Sequence, residues 1–256
     1  MSGWQRYFLH FAFDGTQYCG WQRQTNGPTV QETIENQLEI LLKSPISLTG
    51  CGRTDTGVHA RNFYAHFDFE ELLPQQRAGL LKSLNHTLPA DIVVFNLLPV
   101  QTDAHARYSA LWRTYRYYIS TRKDPFHIPY RWFRFHWPDV ELMNRAATLL
   151  LHTEDFTSFA KLHSNNTHNR CQVTEAYWEV RGHELIFTIT ANRFLRNMVR
   201  AIVGTLWDVG RGRFSLNDFQ ALIENKNRSQ AGASVPASGL FLERVDYPQE
   251  IFLTEN

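Results

Sequence analysis

The chain has 256 residues, of which 43% are hydrophobic and 20% charged, and its formal net charge is +1. That composition is ordinary for a globular chain with a real core, and the charge alone does not indicate a nucleic-acid binder. No apolar run could span a bilayer, no secretory pattern opens the chain, and neither the 3 cysteines nor the 11 histidines have metal-ligand spacing. We therefore expect a cytoplasmic protein with no membrane partner, no disulfide framework and no metal site.

The first half of the chain predicts six elements in the order β-α-β-β-α-β. Apolar residues alternate in the strands, and Val30, Ile34 and Leu38 line one face of the first helix. The predicted elements are a strand at 7–13, a helix at 29–43, a short strand at 46–49, a strand at 63–69, a helix at 74–88 and a strand at 91–98. This order is that of the ferredoxin-like split motif.

The second half repeats this order without obvious sequence repetition. Its predicted elements are a strand at 111–121, a helix at 139–151, strands at 171–181 and 184–191, helices at 194–209 and 216–226, and a strand at 240–245. We therefore predict an α+β fold of two ferredoxin-like (βαββαβ) halves, 1–104 and 105–256, with mostly antiparallel sheets around a central basic cleft.

One glycine-bracketed segment, residues 50–60, suggests chemistry. Gly52 and Gly57 flank Asp55, and Arg53 lies two positions before it. Glycines allow backbone angles that could hold this carboxylate in a fixed, exposed pose, and an arginine can keep a carboxylate charged or bind phosphate. Spacing alone favours a plainer interpretation, a turn in which the aspartate bonds its own backbone.

A basic segment at 104–137 suggests RNA. It holds seven basic residues against one acid, Asp124, and aromatic residues are interleaved with them. This combination suits phosphate contacts and base stacking, although a solvated edge of a β-rich core would look similar. Arg193, Arg196 and Arg200 are predicted to share one face of the 194–209 helix.

Seven motifs together resemble the tRNA pseudouridine synthase A (TruA) family, and they cover nearly the whole chain. The motifs fall at Asp14–Gln24, Gly52–Ala60, Ala104–Ala110, Tyr115-Arg116-Tyr117, Asp155–Phe159, Met198-Val199-Arg200 and Gly239–Leu242. No single motif is decisive, but their order along the chain is highly specific.

The resemblance implies an isomerase that converts uridine to pseudouridine in the anticodon stem-loop of tRNA, at positions 38, 39 and 40. It also implies a homodimer that needs no metal or cofactor. A base in a helical stem is out of reach, so the target nucleotide must be flipped out.

The resemblance also implies site roles. Asp55 would be the nucleophile, attacking C6 of the base or assisting departure at C1′, and Arg200 would keep it ionised. Tyr115 would stack on the target base, and Arg53 would fill the space that the base leaves. Arg107 would contact phosphates, which position RNA without reading its sequence.

The chain departs from the family pattern at three places. Thr56 stands where many members have alanine, and Arg196-Asn197 where many have one or two histidines. The segment 161–171, with its polar loop around Asn165, matches no pattern that we can place. The first two changes leave the charged groups in place, whereas the third bears on tRNA preference.

Two functions of other classes remain as alternatives. An RNA-binding module of two RRM-like halves lacks support, because residues 61–67 have alternating aromatics without the glycines of the RRM core motif. A glycosidase needs two carboxylates, and the Asp55 motif offers no obvious partner acid.

Overall fold

The computed structural model describes residues 3–161 and 167–253, so the first half of the polar loop at 164–169, residues 164–166, lies outside the described residues. The chain forms two compact units. The first runs to Leu111 and resumes at Leu242, and the second spans Trp112–Phe241. The boundaries of these units are set by how the residues pack. The halves at 1–104 and 105–256 are drawn from the order of the elements, and that division stays a prediction.

The first unit has the predicted β-α-β-β-α-β order. Its elements are β1 (Trp4–Phe13), α1 (Val30–Leu42), β2 (Thr49–Gly50), β3 (His59–Glu70), α2 (Pro74–Thr87) and β4 (Ile92–Val100). The strands are antiparallel in the order β4-β1-β3-β2. This is the ferredoxin-like strand order, so the fold class predicted from element order is confirmed as α+β with mostly antiparallel strands.

The central strand β1 lies in the core of the first unit. Tyr7, Phe8, Leu9 and Phe11 are at most 1% exposed, so both faces of β1 are covered. On one face the Phe11, Trp21 and Phe63 rings meet, with the Trp21 and Phe63 centroids 4.6 Å apart.

The opposite face of this sheet carries a second aromatic cluster. Phe8 packs edge-on against Tyr247 and Phe252 from the C-terminal segment, and its ring also lies 6.2 Å from that of His66. His66 is only 7% exposed. A histidine is therefore buried on the apolar face of this sheet, where it accepts a hydrogen bond from the Ala106 N–H.

The start of α1 matches the sequence signal. The Thr29 hydroxyl accepts a hydrogen bond from the Glu32 N–H at 3.3 Å, which caps the first turn. Val30, Ile34 and Leu38 are buried, as the periodicity predicts.

The second unit repeats the arrangement with an extra helix. Its elements are β5 (Trp112–Ser120), β6 (Trp132–Phe133), α3 (Val140–Leu149), β7 (Val173–Arg181), β8 (Glu184–Ala191), α4 (Met198–Gly210) and α5 (Leu216–Asn225), followed by β9 (Leu240–Asp246), of which Leu240 and Phe241 belong to this unit. Strands β5, β8 and β7 are antiparallel neighbours, and β6 pairs with β5 in parallel.

The helix predicted at 194–209 is wrong over its first turn. Helix α4 starts at Met198, because Asn197 adopts a left-handed backbone with φ 65°. Arg193 and Arg196 therefore lie in the segment before the helix, and only Arg200 lies on it. The predicted single face of three arginines does not exist.

Candidate active site

Asp55 begins a tight turn in the segment between β2 and β3. Its carbonyl accepts a hydrogen bond from the Val58 N–H at 3.1 Å, and Gly57 takes the left-handed backbone that this turn needs, with φ 76°. The Asp55 side chain is partly exposed and Arg53 is exposed. The turn therefore presents a carboxylate on a fixed backbone with a cation two residues away.

A second loop, residues 14–24, braces this turn by backbone contact. The Gly57 N–H donates to the Tyr18 carbonyl at 3.3 Å, and the Gly15 N–H donates to His59 Nδ1 at 3.1 Å. A Cβ on Gly15 would lie 2.0 Å from the Val58 oxygen. No side chain fits there, so the loops can approach only where glycine stands.

Gly20, further along the 14–24 loop, also packs against the backbone of the Asp55 segment. Its φ is 89°, and a Cβ there would lie 2.3 Å from the Thr54 oxygen. Gly52, which the sequence pattern singled out, has open space around it and no left-handed backbone. The glycines that fix the Asp55 turn are therefore Gly15, Gly20 and Gly57; the first two stand in the quoted 14–24 motif, but only their contacts reveal their role.

Gly20→Ala is expected to lower the free energy of unfolding by about 2–4 kcal/mol and to reduce activity, because it adds backbone strain and a clash. Gly52→Ala is the matched control in the same loop pair, with an expected change within about 0.5 kcal/mol. Denaturant unfolding of both variants measures the difference. Equal losses would show that the backbone packing at Gly20 does not hold the turn.

Tyr115 lies in the middle of β5, opposite Ile189 of β8, and is 9% exposed. Its ring packs edge-on against Phe194, with centroids 5.0 Å apart and planes at 82°. This contact fixes the tyrosine ring within the second unit. The residue is thus held in one orientation.

Arg113 shares the strand face of Tyr115, as the alternation predicts, but it has a structural role. It is 9% exposed, and its Nη1 donates to the Asn192 carbonyl at 2.8 Å. The sequence alone grouped it with the other basic residues of the 104–137 segment as a candidate for RNA contact. Burial separates it from Arg107, which is exposed.

Arg200 lies in the first turn of α4 and is fixed by the segment that packs on that helix. Its Nε donates to the Val235 carbonyl at 2.7 Å, and the Val235 N–H donates back to the Arg200 carbonyl at 3.3 Å. Gly204 permits this packing, since a Cβ there would lie 1.9 Å from the Ala233 oxygen. The guanidinium is therefore anchored through its Nε.

The buried His66 lies beside the turn that carries Arg107, which follows β4 in the first unit. Burial lowers the pKa of His66 from 6.5 to about 4; the Arg6 cation and His105 add to the shift, and Asp68 opposes it. The unfolded chain therefore binds more protons than the folded chain between about pH 6.5 and 4. Stability must fall as the pH drops through this window.

We expect His66→Asn to flatten this loss. Asparagine retains a hydrogen-bond acceptor but does not titrate. The difference in melting temperature between the parent and the variant should shrink steadily from pH 7 to pH 4, measured by circular dichroism. A constant difference across this range would contradict the burial of a neutral imidazole.

Comparison with known proteins identifies the family. A family described as tRNA pseudouridine synthase matches residues 146–248. A protein of Porphyromonas gingivalis named "tRNA pseudouridine synthase A" is 48% identical over 250 residues, which cover 97% of this chain and 99% of that protein. The chain belongs to the tRNA pseudouridine synthase A family.

Other members support the assignment across bacterial groups. The tRNA pseudouridine synthase A of Bacteroides fragilis is 50% identical over 97% of this chain and 98% of its own length. That of Picosynechococcus is 41% identical over 97% of this chain and 91% of its own length. The resemblance inferred from the motifs is thereby confirmed, and it extends over both units.

The described residues form neither a metal-binding cluster nor a membrane-spanning helix. Within residues 3–161 and 167–253, no group of three or more His, Cys, Asp or Glu side chains is arranged to hold a metal ion. None of the helices in this part of the chain combines the length and hydropathy needed to cross a bilayer.

Proposed function

We propose that this protein isomerises uridine to pseudouridine in the anticodon stem-loop of tRNA, at positions 38, 39 and 40. The observation that carries the proposal is the near full-length identity, 48% over 97% of the chain, to a protein named tRNA pseudouridine synthase A. The fixed Asp55 turn gives that identity a chemical basis, because the reaction needs a positioned carboxylate.

Asp55 serves as the nucleophile in this proposal. The N-glycosidic bond of uridine must break, the base must turn, and C5 must join the ribose. A carboxylate can form a covalent bond at C6 of the base, or assist at C1′, and then leave again. The reaction is an isomerisation without net redox change, and from the family resemblance we propose that it uses no cofactor.

Four other residues complete the proposed site. Tyr115 stacks on the flipped base, and Arg200 supplies the positive charge that keeps the nucleophile ionised. Arg53 fills the space left in the stem, and Arg107 binds phosphate. The anchored ring of Tyr115 and the anchored Nε of Arg200 support these roles, because preorganised groups lose little freedom on binding.

Two further proposals come from the resemblance. We propose that the protein acts as a homodimer and that it works in the cytoplasm, where tRNA is processed. Sedimentation velocity measures the first of these directly.

A single assay tests the activity against both alternatives. The protein is incubated with unmodified tRNA that carries tritium at C5 of uridine. An isomerase releases tritium to water, a glycosidase releases free uracil, and a protein that only binds RNA releases neither. Tritium release supports the proposal, and either other result overturns it.

The affinity for tRNA is expected to fall steeply with salt, because cationic side chains displace condensed counterions from phosphates. Arg107→Ala should lower the slope of log affinity against log salt by about one. Tyr115→Phe is the control, since it removes only a hydroxyl; it should change turnover and leave the slope alone. A slope that Arg107→Ala does not alter would rule out a phosphate contact there.

A further inference from the structure

The turn that carries Arg107 is closed by the side chain of His105. The Nδ1 atom of His105 accepts hydrogen bonds from the N–H groups of Arg107, at 3.1 Å, and Tyr108, at 3.3 Å. The Ser109 N–H donates to the His105 carbonyl, and the His105 N–H donates to the Ser109 hydroxyl, both at 2.9 Å. The imidazole thus does what an aspartate or asparagine does in an Asx turn.

A second imidazole completes the set from the sheet below. His66 on β3 accepts the Ala106 N–H at its own Nδ1, at 3.1 Å. The His66 and His105 rings meet edge-on with centroids 4.6 Å apart, and the His105 ring lies 4.4 Å from that of Tyr108. Three consecutive backbone N–H groups, from Ala106 to Tyr108, therefore all end on histidine nitrogens.

These hydrogen bonds require neutral rings, since a protonated imidazole has no lone pair to accept with. The surroundings favour the neutral form. Burial, and then the Arg6 cation, lower the pKa of both histidines. At His66, His105 adds to the shift and Asp68 opposes it. At His105, Arg107 adds to the shift and a backbone hydrogen bond opposes it. Arg6 is itself held by Asp68 in two hydrogen bonds of 2.7 Å and donates to the Ala104 carbonyl at 3.0 Å.

The turn presents two groups suited to RNA. Tyr108 is 75% exposed, and the Arg107 guanidinium carbon lies 5.6 Å from the centre of its ring. A guanidinium beside an exposed aromatic ring can contact a phosphate and an adjacent base together. Because all three N–H groups are hydrogen-bonded, a change in the backbone of the turn would break these bonds, so the backbone from which both side chains project is fixed before binding.

We propose that His105 and His66 are positioning residues for tRNA binding, which hold the Arg107–Tyr108 turn in its RNA-contacting form by accepting its backbone N–H groups. This proposal rests on the proposed function, and it adds two histidines that contact no substrate in the proposed mechanism.

Three replacements of His105 separate the acceptor from the ring. Asparagine keeps an acceptor without the ring, phenylalanine keeps the ring without the acceptor, and alanine keeps neither. We expect the Kd for tRNA to rise about tenfold in His105→Phe and His105→Ala and to stay within about threefold in His105→Asn, which is the order that hydrogen-bond energies predict. His86→Ala, an exposed histidine at the end of α2, is the matched control and should leave the Kd unchanged.

The readouts are the Kd from filter binding, its salt slope, and tritium release at saturating tRNA. The salt slope of His105→Phe should fall towards that of Arg107→Ala, while release at saturation stays near the parent rate. Addition of His105→Phe to Arg107→Ala should weaken binding less than the two separate effects combined, because both act through one contact. If His105→Ala does not fold, the comparison of His105→Asn with His105→Phe still shows whether the acceptor matters.

Different results would contradict the role of the acceptor, the contact with tRNA and the proposed function. If His105→Phe binds like the parent, or His105→Asn binds as weakly as His105→Phe, the acceptor is not what positions the turn. If Arg107→Ala and His105→Phe both leave the Kd unchanged, the turn does not contact tRNA, and the positioning role is overturned while tritium release still supports the isomerase. If the parent releases no tritium, it is the proposed function that fails.

Discussion

Asp55→Asn is expected to reduce turnover by about 10⁴-fold or more while tRNA binding survives. The amide has nearly the shape of the carboxylate but is not a useful nucleophile, and losses of this size follow the removal of enzyme nucleophiles. One lost charge should not undo many phosphate contacts. Tritium release measures the first effect, and filter binding measures the second.

Thr56→Ala is the matched control for Asp55→Asn. Thr56 is the exposed neighbour in the same turn. Its turnover should stay close to that of the parent. A rate within tenfold of the parent in Asp55→Asn would show that Asp55 is not the nucleophile.

Arg200→Ala should have the second largest effect, a loss of about 100-fold in turnover with little loss of stability. This is the scale of removing one charge-stabilising donor from an active site. Arg200→Lys keeps the charge but loses the Nε–H that bonds to Val235, so it should recover only part of the rate. Turnover at saturating tRNA and the melting temperature are the two measurements.

Arg193→Ala and Arg196→Ala are the comparison for Arg200. Both residues precede α4, and Arg193 lies near His168, with 3.2 Å between Nη1 and Nε2. We expect these two variants to weaken tRNA binding and to leave turnover at saturation near the parent value. Equal losses in turnover for all three would mean that the arginines form only a solvated surface.

Much of the fold could be predicted because the pattern of apolar residues determines it locally. The period of Val30, Ile34 and Leu38 and the cap at Thr29 define α1, and strand alternation defines β1. The start of α4 could not be found this way. The four-residue spacing of Phe194, Met198 and Ile202 continues unbroken across this point, and only the left-handed backbone of Asn197 reveals the break.

The candidate site could be predicted in part. The aspartate turn stands out in sequence because glycine, arginine and aspartate occur together there. The bracing by Gly15 and Gly20 could not be derived, because it depends on a carbonyl oxygen of a segment about 40 residues away. The same holds for His66, which lies on β3 and meets Ala106 only in the folded chain.

The most direct test of the account is to map pseudouridine in tRNA from cells that contain the parent protein, lack it, or carry only Asp55→Asn. The account predicts that pseudouridine at positions 38, 39 and 40 disappears without the protein and that the parent, but not Asp55→Asn, restores it. Unchanged pseudouridine at these positions in cells that lack the protein would contradict the account.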